Sequence, residues 1–173
     1  MGYKWAALEL DDYGNDQIWG PFRLSCQAAG IMAGIWVTEG ANIRLTPPDA
    51  EFAIAEMEGP GDYDGVISAI NDGKIPTCPK AVVTNFNLPL VDASGPNPQA
   101  AKPLIEAGFA CLTEAYMGDN PLATPPRLGF TATQLGWKSS SPVFGVYNEP
   151  MTTYDQYKAA YPGWSAYLAE YIL

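Results

Sequence analysis

Phe52-Ala-Ile-Ala-Glu-Met-Glu-Gly-Pro60 decides how the rest of the chain is read. Small residues alternate with larger ones, and Gly59-Pro60 stops the run. As a strand, its period of two puts Ile54, Glu56 and Glu58 on one face. A carboxylate inside a strand is costly to bury, so these acids are expected at a strand end that opens on solvent or on a site. The same wording recurs along the chain. Leu112-Thr-Glu114 and Leu168-Ala-Glu170 repeat the aliphatic, small, acid order of Ile54-Ala-Glu56. Val37-Thr-Glu39, Val83-Thr-Asn85 and Val146-Tyr-Asn148 are looser copies, and Ala7-Leu-Glu9 is a weaker one.

Between these phrases the punctuation is helical. The first strand is expected over 3–10, followed by an acidic turn at Asp11-Asp-Tyr-Gly-Asn. Pro21 suits a first helical position, so a helix is expected over 21–29 with Gly30 as its C-cap. Further strands are expected at 31–38, in the opening stretch, and at 80–86, 109–116 and 142–148. Asp62 caps a helix carrying Val66, Ile67 and Ile70, closed by Gly73. A short helix over 99–107 ends at Gly108, and Thr124 starts another that runs to Gln134. Thr152 or Thr153 opens a helix ending near Pro162-Gly163. The last ten residues fit either a helical stripe or a seventh strand, and the glycine punctuation favours the strand.

The repeating unit is strand, loop, helix, glycine. That is the pattern of an α/β fold with right-handed crossovers and a parallel sheet of about seven strands. The whole chain, 1–173, reads as a single domain. A compact or incomplete (β/α) barrel of the TIM type would gather the strand-end acids at one mouth. The alternative is an open doubly wound parallel sheet. Its phosphate loop is missing, because the first turn is acidic and no G-x-G-x-x-G or Walker A sequence occurs.

Composition removes several function classes. The 173 residues carry 9 basic and 19 acidic side chains, a net charge of −10. No basic cluster is available to displace counterions, so neither nucleic acid nor an anionic membrane is an expected partner. There is no apolar run long enough to span a bilayer, and the N-terminus lacks a signal-peptide layout. The chain holds no histidine, which excludes Ser-His-Asp and Cys-His triads and His-Glu-x-x-His zinc sites. Cys26, Cys78 and Cys111 form no Cys-x-x-Cys pair and read as free, mostly buried thiols. Asp12 with Asp16, and Asp62 with Asp64, lack the spacing of a calcium loop. No metal and no cofactor is expected.

Carboxylates without histidine point to sugar chemistry. Glycoside hydrolysis needs two carboxyl groups across the scissile bond, one to protonate the leaving oxygen and one as nucleophile or base. Ten Tyr, five Trp and six Phe supply faces on which sugar rings can stack. Glu56 and Glu114, at matching positions of their phrases, are the leading catalytic candidates, followed by Glu58 and Glu170. Glu9, Asn85, Tyr116 and Asn148 suit contacts to sugar hydroxyls. Beside each stands a plainer reading as a rim carboxylate or surface group. Trp36 and Trp137 read as packing residues.

Tyr147-Asn148-Glu149-Pro150 is similar to the Asn-Glu-Pro acid/base motif of clan A glycoside hydrolases, a resemblance that implies a proton-donor role for Glu149. Here the motif falls on the sixth expected strand rather than the fourth. Glu56-Met-Glu-Gly-Pro-Gly-Asp-Tyr63, Leu112-Thr-Glu-Ala-Tyr-Met-Gly-Asp-Asn-Pro121, Pro142-Val-Phe-Gly-Val-Tyr147 and Tyr167-Leu-Ala-Glu-Tyr171 resemble small glycoside-hydrolase-like barrel proteins of actinobacterial bacteriophages. That resemblance implies a barrel that cleaves or binds a bacterial surface or cell-wall glycan. The alternative it implies is a non-catalytic virion or tail protein, structural or glycan-binding, partnered by phage structural proteins or by copies of itself. It assigns no catalytic residue, and it leaves enzymatic activity open.

Overall fold

The computed structural model describes residues 5–10, 16–57, 59–84, 89–115, 132–138 and 140–144. At residues 16, 113–115, 132–133 and 140–144 that description is of the backbone alone. β1 (Trp5–Leu10) leads into α1 (Asp16–Ala29), then β2 (Met32–Val37), a 3-10 helix (Gly40–Leu45) and β3 (Phe52–Met57). α2 (Pro60–Asn71) and β4 (Lys80–Thr84) follow. A small hairpin, β5 (Val91–Asp92) with β6 (Gly95–Pro96), precedes α3 (Pro98–Glu106) and β7 (Phe109–Ala115). A 3-10 turn (Ala132–Leu135) and β8 (Ser140–Phe144) complete the described chain.

The main sheet runs β1-β2-β3-β4-β7-β8, and every neighbouring pair in it is parallel. Each described strand of this sheet therefore lies beside the one that precedes it within the sheet. A doubly wound sheet reverses its strand order at a switch point; no reversal occurs among the described strands. Among the described strands the winding is single, which is not the strand order of a doubly wound sheet. Six of the expected seven strands fall within the described residues, and the segment 164–173 lies outside them.

Because the winding does not reverse among the described strands, the described helices collect on one face of the sheet. Ala33, Ile35 and Val37 of β2, Ala53, Ala55 and Met57 of β3, Val82 of β4 and Cys111 of β7 pack with Trp19 and Cys26 of α1, Val66 and Ala69 of α2, and Ala101 and Leu104 of α3. The alternate residues form a second cluster on the opposite face: Phe52, Ile54, Ala81, Val83 and Leu112, with Trp5, Ala7, Met32 and Trp36 packed against them. Phe52, Ile54 and Val83 are as deeply buried as the helix-side core, each 1% exposed. Strands apolar on both faces are the mark of a parallel sheet covered on both sides.

The helix boundaries show where local rules gave way to packing. α1 starts at Asp16, five positions before the proline that suggested its first residue, and Pro21 lies inside it. Proline forfeits one helical hydrogen bond. Trp19, buried and donating its indole N–H to Asp49 Oδ1 at 2.8 Å, holds the turn that precedes it. α2 starts at Pro60, with Asp62 in its first turn accepting the Gly59 N–H at 3.1 Å. Thus Asp62 caps from inside the helix instead of preceding it. Of the helix expected from Thr124, the described portion is the short 3-10 turn at Ala132–Leu135. β8 begins two residues ahead of its expected start, with Pro142 opposite Thr113. The helix expected at 152–162 lies outside the described residues.

Gly30, Gly73 and Gly108, which follow α1, α2 and α3, take φ values of 67°, 67° and 83°. That left-handed turn costs a residue with a Cβ roughly 1 kcal/mol or more, so glycine is what lets each helix stop and the next strand begin. Two other glycines act by size. A Cβ on Gly40 would overlap the backbone carbonyl of Asp62, and one on Gly65 would sit 2.5 Å from the Ala41 nitrogen. The 3-10 helix and α2 therefore lie backbone against backbone, which fixes the approach to β3.

Candidate functional site

Glu56 is the penultimate residue of β3 and alternates with Phe52 and Ile54, so its side chain belongs to the face away from the helices. It is 2% exposed. The expectation that this acid opens on solvent is corrected: it is buried and bonded. Trp36 Nε1 donates to Glu56 Oε2 at 2.8 Å. The register explains the reach, since Trp36 pairs with Ile54 and Glu56 pairs with Val83. Trp36 and Glu56 are diagonal neighbours, a spacing that a long aromatic side chain can bridge.

The residues beneath the pair build its floor. Gly34 lies opposite Phe52 in the register, and a Cβ there would overlap the Phe52 ring. Trp5 meets that ring edge-on, with centroids 5.5 Å apart and planes at 83°, a favoured aromatic geometry. Ile54, Val83 and Leu112 are buried on the same face, with Val83 paired to Glu56 in the register. A carboxylate among such neighbours is tolerated only with strong hydrogen bonding, and the indole supplies one such bond.

Glu9 joins the same face. It alternates with Trp5 and Ala7, stands opposite Trp36 and is exposed. Trp36 thus separates an exposed acid on β1 from a buried acid on β3. Glu114 does not match Glu56 in position. Glu56 aligns with Val83, and Val83 with Leu112, so Glu114 stands two residues further along its strand. At strand rise that is a displacement of about 6.6 Å toward the carboxyl end. Its backbone pairs with Val143. Similar wording had suggested equal height; the pairing of strands sets height, and it offsets the two phrases. Glu58 and Asn85 each come one residue after the aligned pair Met57 and Thr84. Glu58, Asn85, Tyr116, Asn148, Glu149 and Glu170 all lie outside the described residues.

Trp36 packs against the cluster on this face, as its sequence suggests; its bond to Glu56 is what the sequence does not show. Trp137 packs as well, buried against the helix-side core with its indole donating to the Phe109 carbonyl at 2.9 Å. The two differ in which face their parity selects. Only the register between β2 and β3 brings Trp36 to the acid.

Neither buried thiol competes as a nucleophile. Burial pushes the Cys111 thiol up to about 12, and it raises Cys26 too, with the Glu51 charge adding to the effect. Both stay protonated near neutrality, and the thiolate is the reactive form. Among the described residues no group of three or more His, Cys, Asp or Glu comes together as a metal site. No described helix is long and apolar enough to cross a membrane.

Fold and site together define an α/β protein with a parallel sheet and, among the described residues, a buried carboxylate–indole pair on the face away from the helices. No protein-family model, curated protein or solved structure matches the chain.

Proposed function

We propose that this chain is a compact or incomplete (β/α) barrel that acts on a bacterial surface or cell-wall glycan, with Glu56 as a working carboxylate. The observation that carries the reading is the burial of Glu56 beside Trp36 on the face away from the helices, at the carboxyl end of β3. Strand ends of that polarity hold the sites of parallel barrels. Single winding and a buried apolar layer on the inner face support closure of the sheet. Glu9 on the same face supplies a second carboxyl group, and the aromatic residues of this face offer stacking surface. The phage and glycoside-hydrolase-like character of the proposal rests on the sequence resemblance.

The test uses purified actinobacterial cell walls and follows release of reducing sugar ends. The wild-type protein should release them, and Glu56→Gln should be slower by about 100-fold or more, the usual loss for a catalytic acid or base. Equal release by both proteins removes Glu56 from the mechanism. A second reading, a glycan-binding or structural virion component, draws on the 2% exposure of Glu56, which leaves little carboxylate surface for a sugar to touch. Sedimentation with the same walls without release of sugar ends would favour it.

A further inference from the structure

We infer that Trp36 is a positioning residue that holds Glu56 as an oriented carboxylate, so that Glu56 serves as base or nucleophile and another group donates the proton. The inference rests on the reading of Glu56 as a working carboxylate. An indole N–H donates and never accepts, so its bond to Oε2 strengthens when Glu56 is charged. The 2.8 Å separation lies in the range of charge-assisted N–H···O bonds. Burial of Glu56 limits competition from water for that bond. Burial by itself favours the neutral carboxyl of a proton donor; the indole bond acts against it and favours the charged form.

The neighbouring strands present Trp36 and Val83 toward Glu56, and neither titrates. Among the described residues of this face, Glu9 stands opposite Trp36, and a negative charge there would raise the Glu56 carboxyl rather than keep it ionised. The indole bond works the other way.

Two measurements on the full chain test the inference without reference to turnover. In ¹⁵N-labelled protein the Trp36 Nε1–H resonance, assigned with Trp36→Phe, should move upfield in Glu56→Leu and exchange with solvent at least tenfold faster. Glu56→Gln, which keeps the shape and a neutral acceptor, should give an intermediate shift. In protein labelled at the glutamate carboxyl carbons, the Glu56 midpoint should rise by about one pH unit in Trp36→Phe. An indole resonance unmoved by both Glu56 substitutions overturns the inference, as does a Glu56 midpoint that stays or falls in Trp36→Phe. A wild-type protein that passes both measurements yet releases no sugar overturns the proposed function while leaving the pairing intact.

Discussion

Replacing Gly34 with alanine tests the sheet face away from the helices with a single methyl group. Gly34 pairs with Phe52, and the added Cβ would overlap the far edge of that ring. Phe52 has little room to retreat, because it is 1% exposed and Trp5 stands edge-on against it. Overpacking of this kind costs about 1–3 kcal/mol. Against it stands a gain of about 0.4–1 kcal/mol from the stiffer unfolded chain. The net expectation is a loss of about 1–2 kcal/mol, read as a urea midpoint lowered by about 0.5–1 M at an ordinary slope. Phe52→Ala alone should cost about 3–5 kcal/mol. In the double variant the new methyl enters the space left by the ring, so the combined loss should fall short of the sum by at least about 1 kcal/mol. A Gly34→Ala protein as stable as wild type, or strictly additive losses, would refute the placement of the ring over the glycine and with it the close packing on the face away from the helices.

Gly65→Ala should also destabilise, by about 1–3 kcal/mol, because its Cβ meets the Ala41 backbone rather than a flexible side chain; thermal melting should record the loss. Asp49→Ala removes both the Trp19 indole bond and the Arg23 ion pair. Asp49→Asn keeps an acceptor for the indole, so it should recover most of the loss of about 1 kcal/mol expected from the hydrogen bond, the exposed ion pair contributing little. The Cys111 thiol has its pKa raised from 9.0 to about 12 by burial, so between these values the unfolded chain has released a proton that the folded chain retains. Stability should therefore fall as pH rises, by about 1.4 kcal/mol per pH unit from this group. Chemical denaturation at pH 8, 9 and 10 should show a steeper decline in wild type than in Cys111→Ala, and equal slopes would count against the burial of that thiol.

The parts of the fold that could be read from sequence were those with local causes. Gly30, Gly73 and Gly108 marked three helix ends because a positive φ is expensive for other residues, and all three adopt one. The strand character of Phe52–Met57 followed from its alternation, and that strand lies in the interior of the sheet. What failed depended on distant partners. The first helix was expected to begin at Pro21, but it begins at Asp16, where Asp49 supplies a partner for Trp19. Glu56 looked like a rim acid until β2 brought an indole beside it. Glu114 looked equivalent to Glu56 because the wording around them matches, but wording carries no information about which residues pair across a sheet. Register is a property of two strands, and neither strand states it alone.

The unbroken strand order also has a consequence for biosynthesis. Every described strand of the main sheet after β1 finds its hydrogen-bonding neighbour already made when it leaves the ribosome. The nascent chain can grow as a ratchet from its N-terminal end, each arrival capping the raw edge left by its predecessor. Pausing translation would then expose one sticky edge at a time, rather than a set of orphan strands waiting for a distant mate.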